Sequence, residues 1–497
     1  MMDDAIRHLA SLLNNIGLVY NPEKSQRFIS VNPMLESLGT FIGDDANTSI
    51  WIRNKCLEFG RSNYLLKSLD PHLALPILQF CINSRPMYLA RTSPPWISYD
   101  SLASFDQSVD DIIATLCNSN GLELVSSLIR SQPRYLGGLG IPNLHDVCDK
   151  AWIASFTYAL KSLCQFCPSL CQLFEFYRAK NPSWFADILS VAKKHCPDVV
   201  CMTRDNQESL IFWNDPASTG NHYTCKKQRS LCEDIVKDRN ERIVETLKAN
   251  GDKAGLNWFL SNGFLGSGSW ISYSSFSVDA GFSSNHFRVN LSRRLLIHPP
   301  SVAVNPDLLC TLCNTKKVDD RFHRVSCNSL AGLTKKRHDL IVLDLFKTLK
   351  NLLKSPGLVD HEVLLNNDSE MKMDVVATIQ GIAYFVDITI VNPSSRSHLI
   401  GNCLGSPKLV TQMSENAKKR KYAKVLSRLG VNADTQFIPF AICSSGFMGQ
   451  AAKHWFEYVA NLPGYGIATK RLCWYKLACH RLVTTVGLLD ETCRCML

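Results

Sequence analysis

Three strand-like runs, near 358–366, 371–379 and 382–391, follow one another with almost no chain between them. Two carry an aspartate inside an apolar stretch: Asp374 in Lys372-Met373-Asp374-Val375-Val376, and Asp387 in Tyr384-Phe385-Val386-Asp387-Ile388-Thr389-Ile390-Val391. Runs this close in sequence become neighbours in a sheet, so the two carboxylates come to adjacent strand ends. A helix is expected from about 334 to 354, a lysine-rich helix over about 408–429, a strand near 436–443 and a helix near 446–462. That order, α, β, β, β, α, β, α, suits a small α/β domain.

The rest of the chain reads differently. Residues 3–16 carry Ile6, Leu9, Leu12, Leu13 and Ile16 at helical spacing, with Gly17 as the stop signal. From about 50 to 260 the pattern is mainly helical, broken at Ser93-Pro94-Pro95-Trp96 and at Gly137-Gly138-Leu139-Gly140-Ile141-Pro142. Residues 262–282, rich in Gly, Ser and aromatics, read as loops, and 283–300 as a basic amphipathic helix with Phe287, Leu291, Leu295 and Leu296. The expected fold class is α+β and multidomain. A chain of 497 residues, 45% hydrophobic and 20% charged, supports several cores and excludes global disorder.

The net charge of +10 suits a polyanionic partner. The chain opens with Met1-Met2-Asp3-Asp4 rather than a secretory leader, and no apolar run is long enough to cross a bilayer. The 20 cysteines are therefore expected in a reducing, intracellular compartment, where clustered thiols bind metal or pack in cores.

Two constellations carry chemistry. Phosphodiester hydrolysis needs an activated water, charge neutralisation and a stabilised leaving oxygen, and Mg²⁺ or Mn²⁺ held by carboxylates supplies these. Asp374 and Asp387 are the expected ligands, with Glu362 as a further candidate. Lys418 and Lys421, three apart on one helical face, are placed to assist the water or the phosphate. The second constellation is Cys310-x2-Cys313 followed by His323-x3-Cys327, a complete tetrahedral set for Zn²⁺. Basic runs at Lys335-Lys336-Arg337-His338 and at Lys419-Arg420, with Tyr422 beside the latter, suit contacts to a nucleic-acid backbone. Arg293-Arg294 is a weaker basic run of the same kind.

In this order the motifs resemble the C-terminal region of early-branching non-LTR retrotransposon proteins. That family carries a Cys-Cys-His-Cys knuckle before a restriction-enzyme-like endonuclease, as Cys310, Cys313, His323 and Cys327 stand here. Its helix-opening Arg-His-Asp/Asn is matched by Arg337-His338-Asp339, and its Lys/Arg-Pro-Asp imperfectly by Lys372-Met373-Asp374. A strand Asp follows, as in Asp387-Ile388-Thr389, and then Lys-x-x-Lys-Tyr, as in Lys418 to Tyr422. Gly17 to Ser25 and Leu38 to Gly43 are similar to reverse transcriptase palm segments, and Pro133 to Pro142 to the family's linker.

Met2-Asp3-Asp4 imitates a polymerase motif but stands too close to Gly17, so Asp3 and Asp4 read as acids at a helix N-terminus. The resemblance implies a palm remnant over 1–45, a thumb-like region over 46–130, a helical linker over 131–305, a zinc knuckle over 306–330, a PD-(D/E)xK-type nuclease over 331–465 and a basic tail over 466–497. It further implies a DNA target, retroelement RNA, a nuclear setting and no polymerase activity from this chain. A catalytically inactive nucleic-acid-binding remnant is the alternative.

Overall fold

The computed structural model describes residues 35–37, 40–42, 44–166, 182–202, 207–210, 226–264, 267–272, 283–298, 313–314, 321–353, 358–366, 369–399 and 404–462. The expected helix over 3–16, the stretch from Gly17 to Ser25, Cys310 and the tail over 466–497 lie outside them. The fold is mixed α/β and mostly helical, with small sheets. Among the described residues no helix is long and apolar enough to cross a membrane.

A hairpin of β1 (Leu35–Ser37) and β2 (Thr40–Ile42) leads into α1 (Asp45–Lys67), α2 (Pro71–Ile77), α3 (Ser84–Thr92), α4 (Pro95–Leu116), α5 (Leu124–Ser131) and α6 (Leu144–Phe166). After α7 (Pro182–His195) comes a second hairpin, β3 (Val200–Met202) with β4 (Glu208–Leu210). Then follow α8 (Glu233–Ala249), α9 (Lys253–Ser261) and α10 (Ser284–Arg294). Two compact units share this chain, one of Met1–Glu58, Pro86–Ser104 and Cys148–Lys226, the other of Phe59–Arg85, Phe105–Val147 and Lys227–Leu497.

The first unit includes the buried Trp152 of α6. Its indole meets Trp96 edge-on with centroids 5.3 Å apart and stacks on Phe156 at 4.9 Å. Beside it, Asp149 accepts from Tyr99 Oη at 2.5 Å, from Lys194 Nζ at 3.0 Å and meets His195 Nε2 at 3.1 Å.

In the second unit, Gly137 (φ +90°) and Gly138 belong to a tight loop where a Cβ on Gly138 would lie 2.1 Å from the Gln132 carbonyl oxygen. Arg294, 1% exposed, clamps that loop by donating to the carbonyls of Gly138 and Arg134. The Arg293-Arg294 run is therefore buried structure and not a basic surface.

The remainder of this unit is an α/β sandwich. α11 (Ala331–Leu353) precedes β5 (Val359–Asn366), β6 (Ser369–Ile379) and β7 (Ile382–Val391); α12 (Pro407–Arg428), β8 (Phe437–Cys443) and α13 (Gln450–Ala460) complete it. The sheet order is β5-β6-β7-β8, antiparallel except for the parallel β7–β8 pair that α12 connects. Gln380 and Gly381, both at positive φ, form the two-residue turn between β6 and β7. Ile341, Val342, Leu345 and Leu349 of α11 share one apolar core with Val375, Ala377, Val386 and Ile388 and with Trp455 and Phe456 of α13. Tyr422 and Leu426 of α12 pack with Met373, Phe437 and Phe385 in another. Burial of each such side chain contributes about 1.5–3 kcal/mol.

Candidate functional site

The β6–β7 ladder ends at Val375↔Val386. Beyond it β6 stays paired with β5, and β7 with β8, so the strands part where the next register position sets Asp374 opposite Asp387. The parting frees the Ile388 amide, and Asp374 Oδ2 accepts it at 2.6 Å. Helices supply the cations. From α11, His338 Nε2 lies 3.3 Å from Asp374 Oδ2 and 3.2 Å from the Ile388 carbonyl oxygen. From α12, Lys418 Nζ lies 2.6 Å from Asp387 Oδ2, and Tyr422 Oη donates to Asp387 Oδ1 at 2.8 Å.

These residues, with Met371, Lys372 and Lys421, line a half-open cavity of about 600 Å³. Its cations are three lysines and a histidine, against two aspartates, which favours an anionic ligand. Burial pushes the Asp387 carboxyl up from its ordinary range; Lys418 opposes this and the nearby Asp374 reinforces it. The hydrogen bond to Asp374 raises His338 to about 9, so the ring is an imidazolium at neutral pH. Burial, and then Asp387, push the Tyr422 phenol up, so it stays a donor.

The sequence-expected residues divide. Asp374, Asp387, Lys418 and Lys421 come together at the cavity. Glu362 does not join them. It is largely exposed, adopts a positive φ of 52° and pairs with Lys372 at 3.8 Å. Tyr422, expected to touch nucleic acid, is 2% exposed and orients Asp387 instead. His338 belongs to the Asp374 pair rather than to a basic face. Arg337 is 6% exposed and is not part of an exposed basic face. Lys335, Lys336 and Arg420 are exposed, and Lys419 pairs with Asp434 at 3.2 Å.

A second centre involves Cys313, His323 and Cys327, whose donor atoms all lie within 4.8 Å of one another. Cys313 Sγ is 3.2 Å from His323 Nε2, and His323 and Cys327 are buried. Donor atoms around tetrahedral zinc stand roughly 3.5–3.8 Å apart, so two thiols and an imidazole this close can hold a metal ion. Compared with known proteins, the chain matches no family model and no curated protein. The likeness to retroelement proteins therefore rests on the short motifs and their order.

Proposed function

We propose that the β6–β7 cavity is the active site of a divalent-metal-dependent DNA endonuclease from a retroelement, cutting the target at which the element's RNA is copied. The observation that carries this reading is one cavity joining two in-register aspartates to Lys418, Lys421 and His338. Asp374 and Asp387 suit Mg²⁺ or Mn²⁺, which take carboxylate and water oxygens. Such an ion, when bound, polarises the phosphate and activates water.

The chain's own groups do the rest. Tyr422 holds Asp387 by Oδ1, leaving Oδ2 toward Lys418. The Ile388 amide fixes Asp374. Lys421 is exposed on the cavity wall and suits a phosphate oxygen. The His338 imidazolium adds positive charge against the phosphate. The Cys313–His323–Cys327 group, with Cys310 as the fourth ligand expected from the sequence, suits structural Zn²⁺.

The test is nicking of supercoiled plasmid with Mg²⁺ or Mn²⁺, wild type beside Asp374→Ala and Asp387→Ala, with element RNA and target DNA supplied. Cleavage lost in both variants with DNA binding kept supports the reading. A folded, zinc-loaded wild type that binds and never cuts overturns it. One observation favours a second reading, a binding protein without catalysis: each carboxylate already faces an internal cation. Metal titration separates the two, because only the nuclease reading requires Mg²⁺ to compete with Lys418 and His338.

A further inference from the structure

Arg337 stands outside this site. Its Nε and Nη1 are buried without a hydrogen-bond partner, and among the described residues no carboxylate pairs with it. Burial, reinforced by the positive charge of Arg293, pulls the guanidinium down to about 10, which still leaves it charged at neutral pH. Arg293 is itself 4% exposed, so two buried cations share one neighbourhood. A buried guanidinium with no counter-anion is strongly disfavoured.

Arg337 lines a separate cavity of about 370 Å³ that shares no residue with the carboxylate cavity. Ala331 and Thr334 carry the first turn of the 23-residue α11 into its wall, where the aligned peptide dipoles add positive potential. Thr334 Oγ1 donates to the Ala331 carbonyl at 2.8 Å, so the turn is held by its own side chain.

We infer that this cavity is a phosphate site taking one backbone phosphodiester of the bound nucleic acid. The inference rests on the reading of the chain as a nucleic-acid-binding protein. Guanidinium forks match phosphate oxygens, and an arriving anion would supply the countercharge that Arg337 lacks. Arg337 and His338 are consecutive on α11, so the two cavities draw on neighbouring faces of one helix. The contact reads no sequence; it fixes the register of the strand.

The experiment uses the full chain with its zinc content measured, without Mg²⁺ so that nothing is cut. Wild type, Arg337→Lys and Arg337→Met are compared, with Arg337→Gln in reserve if Arg337→Met does not fold. Inorganic phosphate at matched ionic strength is expected to raise the melting temperature of wild type and not of Arg337→Met. Binding of a short DNA duplex, read by anisotropy over a salt series, is expected to lose about 0.9 of its log–log slope in Arg337→Met. Arg337→Lys restores the slope while binding more weakly than wild type.

An unchanged slope and affinity in Arg337→Met overturns the inference. A phosphate response in wild type with an unchanged DNA slope overturns the backbone assignment in favour of free phosphate. Loss of zinc in Arg337→Met also overturns it, because Arg337 would then balance the thiolate at Cys327 on the same wall. A wild type that binds DNA without cutting it counts against the nuclease reading alone.

Discussion

Asp149 and Asp387 are both buried aspartates held by a tyrosine hydroxyl and a lysine, yet their acidities move in opposite directions. Burial works against both anions. At Asp149 it is overcome by His195, Tyr99 and Lys194, and the carboxyl falls well below the usual range. At Asp387 it is not overcome, because only Lys418 and Tyr422 help and the like charge of Asp374 adds to the cost. One aspartate is a completed tie between helices. The other is an anion with unmet demand beside a cavity, the condition that a metal ion or a second cation relieves.

The largest effect that sharpens this contrast is on cleavage. Asp387→Asn keeps the shape and removes the charge, and is expected to lower plasmid nicking at least about a hundredfold. Asp149→Asn is expected to leave nicking per folded molecule unchanged. Loss of cleavage in a folded Asp149→Asn protein would break the comparison, since that side chain is committed to Tyr99, Lys194 and His195.

Stability should show the reverse ranking. Asp149→Ala strands the Tyr99 hydroxyl and the His195 ring and is expected to cost about 2–3 kcal/mol in a denaturant melt. Lys194 contributes little to that figure because its side chain is 65% exposed. Asp387→Asn is expected to melt no lower than wild type without metal, because it removes a charge that burial disfavours.

The pH dependence carries opposite signs. The folded pKa of Asp149 is depressed, so its stabilisation is present above 3.8 and is lost as pH falls from there through the folded value. The folded pKa of Asp387 is raised, so the folded state holds its proton longer and stability falls as pH rises from 3.8 through the folded value. Melts of wild type against each Asn variant, carried from below pH 3.8, where Asp149 titrates, to above it, where Asp387 does, would show the two differences running in opposite senses. Parallel trends would mean that Asp387 is as fully satisfied as Asp149.

Much of the α/β domain from α11 to α13 was legible because its signals are local. The three apolar runs became β5, β6 and β7, and the lysine-rich helix became α12 within a residue or two of its expected ends. Asp374 and Asp387 met because a two-residue turn fixes their register, and register follows from the distance of each residue to that turn. His338 was harder. Its pairing with Asp374 depends on how α11 crosses the sheet, and the run of basic residues around it suggested a solvated face. The burial of Tyr422 and Arg337 was hidden for the same reason, since burial is decided by packing across elements and not by neighbours in the chain. A signal for Tyr422 did exist: it lies four residues after Lys418, on the same helical face, as the one aromatic among lysines and an arginine. The Asp149 network could not be read at all, because Tyr99, Asp149 and His195 are brought together from three separate helices.

The smallest expected effect concerns Glu362, the acid that spacing nominated and geometry leaves aside. Register sets it across from Asp374, since His361 pairs with Val375 and Val363 with Met373. Its positive φ, the exposure of its side chain and its 3.8 Å pairing with Lys372 instead leave its carboxylate outside the cavity lining. An exposed pair of that kind contributes about 0–1 kcal/mol. Glu362→Gln is therefore expected to change nicking by less than about twofold, on the scale of a surface pair. A loss as deep as that of Asp387→Asn would mean that Glu362 swings in to hold metal when DNA arrives. The unmet demand at Asp387 would then be answered by a third carboxylate sharing the ion, and the contrast with Asp149 would rest on metal sharing rather than on a missing donor.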